Sequence, residues 1–243
     1  MGTVASVVRA TTQAAAAVVV ATNSLRTPSA GNRRLLVVAA FVIAILAVYE
    51  PIRTSRKERR DARARVKHSK VLSALGAALS QIEEVTALSA SEIGLQAFVI
   101  ETKGWNRKKV LVRLARLRLA EMQPPSEIEW VEGKGVIGEC WRVRRYHDSN
   151  FDELHSDQQA WNEGKWASLP ESVTMRMSWT EFEQVRGRYG VIGAFPIVHA
   201  ETSKLLGILA VDGGPGNYDN LTSGPVRKAC ASAAARIADL FTE

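Results

Sequence analysis

Fifteen consecutive apolar residues, LLVVAAFVIAILAVY from Leu35 to Tyr49, run almost directly into RTSRKERRDARARVKHSK, residues 53 to 70. An apolar helix of that purity is either a core helix or a membrane span, and the neighbouring charge decides between them. The run is short of the roughly 20 residues a span needs, but counting on to Ile52 while Arg33 and Arg34 snorkel outward brings it near the lower limit. A core helix would not lead into nine Lys and Arg against only Glu58 and Asp61. The sequence therefore predicts a transmembrane helix over 35–52. The positive-inside rule keeps the larger basic cluster in the cytosol, and with it everything that follows, leaving the N-terminus outside.

Residues 1–34 are rich in Ala, Val, Thr and Ser and are expected to be poorly structured or weakly apolar. Their apolar run, Ala14 to Ala21, is only eight residues long, too short to span a bilayer. A second span over residues 4–25 stays open, weakened by Arg9, Gln13 and Asn23. A cleaved signal peptide is disfavoured, because the strongest apolar stretch comes later and lacks a small-residue cleavage site.

The net charge of +7 is unevenly spread. Residues 1–52 carry +3 (four Arg, one Glu), residues 53–70 carry +7 (nine basic, two acidic), and residues 71–243 carry −3 (19 basic, 22 acidic). A basic footprint beside an apolar segment suits anionic lipid headgroups at about 1 kcal/mol per residue near the surface, and no nucleic-acid partner is expected. Cys140 and Cys230 lie too far apart for a disulfide framework or zinc knuckle, so a reducing compartment is the default.

Over residues 53–90 the basic juxtamembrane run leads into an amphipathic helix. Leu72, Leu75, Leu79 and Ile82 recur at spacings of three and four, with Val71, Ala78 and Val85 alongside. Such a stripe serves either packing on the domain or pairing with the same helix of a second chain, and residues 66–88 are the expected homodimer seam.

Residues 94–101 and 109–119 read as strands joined by the turn KGWNRK. In the second, Val110, Val112 and Leu114 share one parity while Leu117 and Leu119 take the other, which calls for a bulge near Ala115. Its polar residues Arg113, Arg116 and Arg118 read first as a solvated face and second as an anion-binding surface. After a break at Pro124 and Pro125, a strand is expected around Ile128 to Val131, then the turn at Gly133 to Gly135, then a short helix or strand from Val136. The middle, 146–189, is irregular, with a helix over 179–185 capped by Ser178. Gly190 to Val198 and Leu205 to Val211 are nearly continuous apolar runs, as strands buried on both faces are, and the chain closes with an amphipathic helix over 225–241.

This order of elements resembles the GAF domain family. The matching residues are Gly133, Gly135, Val136, Ile137, Gly138 and Glu139; then Ala194, Phe195, Pro196 and Ile197; then Leu206, Gly207, Ile208, Leu209, Val211 and Asp212. The resemblance covers roughly residues 71–243 and implies an α+β fold: a GAF-like antiparallel sheet with flanking helices over 91–243, joined by the 71–90 helix and preceded here by the transmembrane segment. It also implies a pocket or docking surface roofed by the variable middle, in modules that mainly regulate rather than catalyse. The chain departs from the better-known subfamilies. Asn150, Phe151, Asp152 and Glu153 are contiguous where cyclic-nucleotide binders have a dispersed signature, two distant cysteines do not supply the set used by methionine-sulfoxide reducers, and the middle holds no Cys to attach a chromophore.

The resemblance implies that Trp141, Trp161, Trp166, Trp179, Phe182, Tyr189 and Phe195 cluster around the family's pocket as flat apolar walls with indole donors; packing under a long insertion is the alternative. The G-x-G-x-x-G at Gly133 to Gly138 lacks the strand-turn-helix setting of a dinucleotide site and reads as a tight turn. His147, Asp148, Asp152, Glu153, His155 and Asp157 have no zinc spacing and read as a polar insertion, and Cys140 as a small buried hydrophobe. No catalytic set stands out, so no enzyme, no metal and no identified cofactor is expected. The functional expectation is a membrane-anchored cytosolic sensory or regulatory module that binds a small ligand or protein and signals to an unidentified protein partner, since it shows no output domain of its own. The alternative is a membrane tether holding a cytoplasmic assembly at the bilayer.

Overall fold

A computed structural model describes residues 30–119 and 126–241; through much of 30–63 it describes the backbone alone. The expectations for residues 1–29 and for the break at Pro124 and Pro125 lie outside the described residues. The chain divides into two compact units at Val66/Lys67. This boundary falls within one helix, α1 (Ala30–Thr86). Within the expected membrane segment, 35–52, the side chains of all residues but Tyr49 also lie outside the description, and among the described residues no helix is long and apolar enough to cross a membrane.

Within the second unit, α1 buries Val71, Leu75, Ala78, Leu79 and Ile82 in the domain's own core. The apolar stripe thus packs on the sheet, the first of its two readings. The helix stops where Ala87 turns to φ +58°, a conformation costly for a residue with a Cβ.

Five antiparallel strands form one sheet, ordered β2-β1-β5-β4-β3: β1 (Ile93–Lys103), β2 (Lys108–Arg118), β3 (His147–Asn150), β4 (Val191–Val198) and β5 (Leu205–Gly213). The two apolar runs, β4 and β5, are interior strands, as their composition demands. Pairing of β1 with β2 shifts register between Ala97 and Phe98: Ala97 faces Ala115 while Phe98 faces Arg113, so Leu114 is the extra residue of a bulge. The bulge reverses parity. Arg113 before it and Arg116 and Arg118 after it consequently share one face of the sheet, opposite Phe98, Gln96 and Gly94.

The strand expected around Ile128 to Val131 is only a single bridge, Trp130 to Leu111. The reason is the turn that follows: Gly133 and Gly135 have φ of +82° and +62°, and the Gly133 N–H donates to the Gly138 carbonyl at 2.7 Å. That turn feeds α2 (Gly135–Val143), so the segment from Val136 is a helix rather than a strand. The variable middle breaks into α3 (Phe151–Leu154), a 3-10 turn (Gln158–Ala160), α4 (Glu163–Ser168), α5 (Glu171–Thr174) and α6 (Trp179–Glu183). Ser178 caps α6 in a capping box with Glu181. After β5 come α7 (Tyr218–Leu221) and α8 (Gly224–Asp239), the latter with Pro225 in its first turn.

The two faces of the sheet are filled differently. Ile93, Leu95, Ala97, Phe195, Ile197, Leu209 and Val211 pack with α1 and with Val226, Ala229, Cys230, Ala233 and Ile237 of α8 in one apolar cluster. The opposite face, with Phe98, Ala194, Ile208 and Ala210, packs against Val136, Ile137, Cys140 and Trp141 of α2 and against Phe151. Helices on one side and a variable insertion over the other make the antiparallel sheet GAF-like.

Candidate functional site

On the second face the side chains leave a cavity. Its floor is β-sheet (Gln96, Phe98, Arg113, Ile192, Ala210, Asp212); Gly135, Val136 and Ile137 at the start of α2, with Trp130, form one wall; Phe151, His155, Met175, Met177, Phe182 and Tyr189 of the middle roof it. It is open to solvent and has a cavity volume of about 60 Å³. A water needs roughly 10–15 Å³ on that measure, so the space suits a small molecule.

Register builds the polar end of this cavity. Gly94 pairs with Arg118 on one side and Asp212 on the other, and Gln96 is the next residue on the same face. Because Gly94 has no side chain, Arg118 reaches across β1 and its Nη2 donates to Asp212 Oδ1. A Cβ at Gly94 would lie 2.5 Å from that oxygen and 2.8 Å from Arg118 Nε. Gln96 Nε2 donates to the other carboxylate oxygen at 3.0 Å. Asp212 is 1% exposed and Gln96 7%. A carboxylate buried so completely is tolerated only with such partners.

Of the residues lining the cavity, Gln96 and Arg113 each hold an atom, Oε1 and Nε, buried without a hydrogen-bond partner among the described residues, and Arg118 Nε behind them is buried in the same way. Burial first, and then the Arg116 charge, hold the Arg113 guanidinium below its ordinary value, opposed by Tyr189 and Asp212. Burial and the Asp212 charge push the Tyr189 hydroxyl up.

Of the seven aromatic residues expected at a pocket, Phe182 and Tyr189 line this cavity. Trp161, Trp166 and Trp179 stand behind Phe182 rather than in the lining: Trp166 stacks on Phe182 with ring centres 4.1 Å apart and donates from Nε1 to the Met177 carbonyl at 3.0 Å, while Trp161 and Trp179 lie 5.7 and 5.6 Å from Phe182. They form the small core that positions the roof. Trp141 is buried in α2 beside the cavity without lining it. Phe195 is on the other face, 4.8 Å from Tyr146. Gln96, Arg113, Asp212, Trp130 and Ile192 line the cavity and were not among the expected seven. The signal for Gln96 and Asp212 was their position, polar residues inside apolar strands.

The acid and histidine group of the middle disperses. Asp148 accepts from the Tyr218 hydroxyl at 2.6 Å, Asp152 from the Gly216 N–H at 2.8 Å, and Asn150 caps α3. His155 sits buried between Phe151 and Phe182, and its Nε2–H donates to the Val173 carbonyl at 3.3 Å. His147 borders a second depression, in which Glu139 and Glu171 already pair with Arg142 and Arg176. Among the described residues no group of three or more metal-ligating side chains converges. Cys140 and Cys230 are free, buried in different clusters, and burial pushes both thiols up to about 12.

No family model and no curated protein matches the chain. Among solved structures it is similar to a type II free methionine-R-sulfoxide reductase from Thermoplasma acidophilum (12% identity over 72% of this chain and 94% of that one, TM-score 0.42). It is similar also to a GAF sensor protein from Burkholderia vietnamiensis (14%, 74% and 99%, TM-score 0.40). A third is the GAF domain of an Acinetobacter phosphoenolpyruvate-protein phosphotransferase (10%, 76% and 93%, TM-score 0.42). Scores this low carry no argument about function, and the GAF-like assignment stands on the topology above. The expectation that the chain is no enzyme is withdrawn, since one of these structures is a reductase.

Proposed function

We propose that this chain is a membrane-anchored sensory or regulatory module whose GAF-like domain takes a small ligand into the cavity over Gln96, Ala210 and Asp212 and relays its presence to a separate protein. The observation that carries the reading is a concave, mostly apolar space ending in a few buried polar groups, two of whose atoms have hydrogen-bonding capacity to spare. The anchor rests on sequence: the apolar run over 35–52 and the basic run over 53–70, which would lie along anionic headgroups with the domain on the cytosolic side. A homodimer seam within 66–88 would use the helix surface left over by the core, where Val66 and Val85 are 57% and 49% exposed.

The ligand reading is tested by equilibrating the full chain, in mild detergent, with a soluble metabolite extract and then weighing it by native mass spectrometry. Wild type should retain a small molecule that Ala210→Phe, which fills the cavity floor, does not. No retained mass, or equal retention by both, overturns the reading. Reporter fusions after Glu243 should behave as cytosolic, and behaviour as an external reporter would overturn the orientation.

A further inference from the structure

The polar end of the cavity is specific about what would complete it. A carboxylate only accepts, so the Gln96 atom turned to Asp212 is the amide nitrogen, and the atom left over is the carbonyl oxygen Oε1, which requires a donor. Gln96 is more than nine-tenths buried and lines the cavity. Arg113, two rows along on the same face and also in the lining, holds a buried Nε–H that requires an acceptor. Around them the sheet face carries three guanidinium groups, on Arg113, Arg116 and Arg118, against one carboxylate, Asp212, which Arg118 already pairs. The rest of the enclosure is apolar, from Phe98, Val136, Phe182 and Ile192.

Resting on the reading of the cavity as a ligand site, we infer that its ligand is a small organic anion with a hydrogen-bond donor beside the acid group and an apolar tail, the chemistry of a 2-hydroxy acid. The acid group takes the Arg113 donor in a charge-assisted bond, and the neighbouring hydroxyl donates to Gln96 Oε1. The tail lies between Phe98 and Phe182. An ammonium group is disfavoured, because it would add a charge where positive charge already exceeds negative. An inorganic anion would leave the apolar walls unused, and a neutral diol would leave Arg113 without its charged partner.

Three matched probes separate these features: 2-hydroxy-4-methylpentanoate, 4-methylpentanoate and 4-methylpentane-1,2-diol, titrated calorimetrically into the full chain in mild detergent. The hydroxy acid should bind tightest, with both the acid lacking the hydroxyl and the diol lacking the charge about tenfold weaker or more. Arg113→Gln, a half-buried position that leaves the core intact, should abolish the advantage of the acids over the diol. Gln96→Met should abolish the advantage of the hydroxy acid over the plain acid. Each loss should occur with an unchanged near-ultraviolet dichroism spectrum, which keeps a folding defect apart from a binding one. Binding of the diol as tightly as the hydroxy acid, or binding indifferent to Arg113→Gln, overturns the ligand class while the cavity remains a binding site. Failure of all three probes overturns it too. The ligand-site reading falls with it only if the metabolite extract also leaves no retained mass.

Discussion

The two faces of the sheet come from the same five strands, yet one is an apolar core and the other encloses a cavity with a polar end. On the helix face, β1 contributes Ile93 and Leu95, each fully buried, and every partner from α1 and α8 is apolar. On the cavity face the same strand contributes Gly94 and Gln96, and a buried carboxylate and three arginines stand beside the apolar packing. A core needs only hydrophobic bulk of the right volume, and burying one Leu or Ile contributes about 1.5–3 kcal/mol. A buried ion pair with an amide attached is weak evidence for stability, because desolvation offsets much of the attraction. On the reading proposed above, its place on one face only serves what the cavity binds.

The independence of the two faces is tested most forcefully on the helix face. Leu75→Ala empties a fully buried site and should cost about 4 kcal/mol by denaturant unfolding, while leaving the cavity's affinity for 2-hydroxy-4-methylpentanoate unchanged. Loss of both together would mean that the faces are not independent. Asp212→Ala should cost about 3 kcal/mol, because it strands Arg118 and Gln96 without their common acceptor, and it should lower affinity as well. A change under about 0.5 kcal/mol would place the trio on the surface in practice. Gly94→Ala should cost about 2 kcal/mol by driving a Cβ between Asp212 and Arg118. In a double-mutant cycle with Asp212→Ala its cost should shrink, and strict additivity would deny the shared contact.

The smallest effect is in pH. Burial holds His155 below its ordinary value of 6.5, so the native state stays neutral where the unfolded chain takes up a proton. Stability is therefore full above that value and falls as pH drops through 6.5. Thermal melts at pH 7.5 and 5.5 should show a larger loss for wild type than for His155→Phe, and equal losses would remove His155 from the account.

Much of the fold was legible because local rules and global packing agree. The period of Leu75, Leu79 and Ile82, the apolar continuity of β4 and β5, the Ser178 cap and the parity change in β2 are each decided by near neighbours. The site was far less legible. Gln96 and Asp212 are 116 residues apart, and Arg118 and Asp212 are 94 apart, joined only through register. Arg113, Arg116 and Arg118 read as a solvated face because nothing local places a carboxylate opposite them. Trp161, Trp166 and Trp179 suggested pocket walls because indoles suit that purpose, but in so short a run of helices they first fill the insertion's own core. The strand expected at Ile128 to Val131 fails for a local reason that outweighed its composition, the two positive-φ glycines just beyond it.

The division between faces can be observed directly in one strand. Ile192 of β4 lines the cavity, and Ile197 of the same strand is in the helix-face core. Methyl NMR of the full chain, titrated with the small-molecule fraction of a metabolite extract, should shift the Ile192 resonance and leave that of Ile197 in place. An Ile192 signal that never moves, or an Ile197 signal that moves as far, would contradict the account.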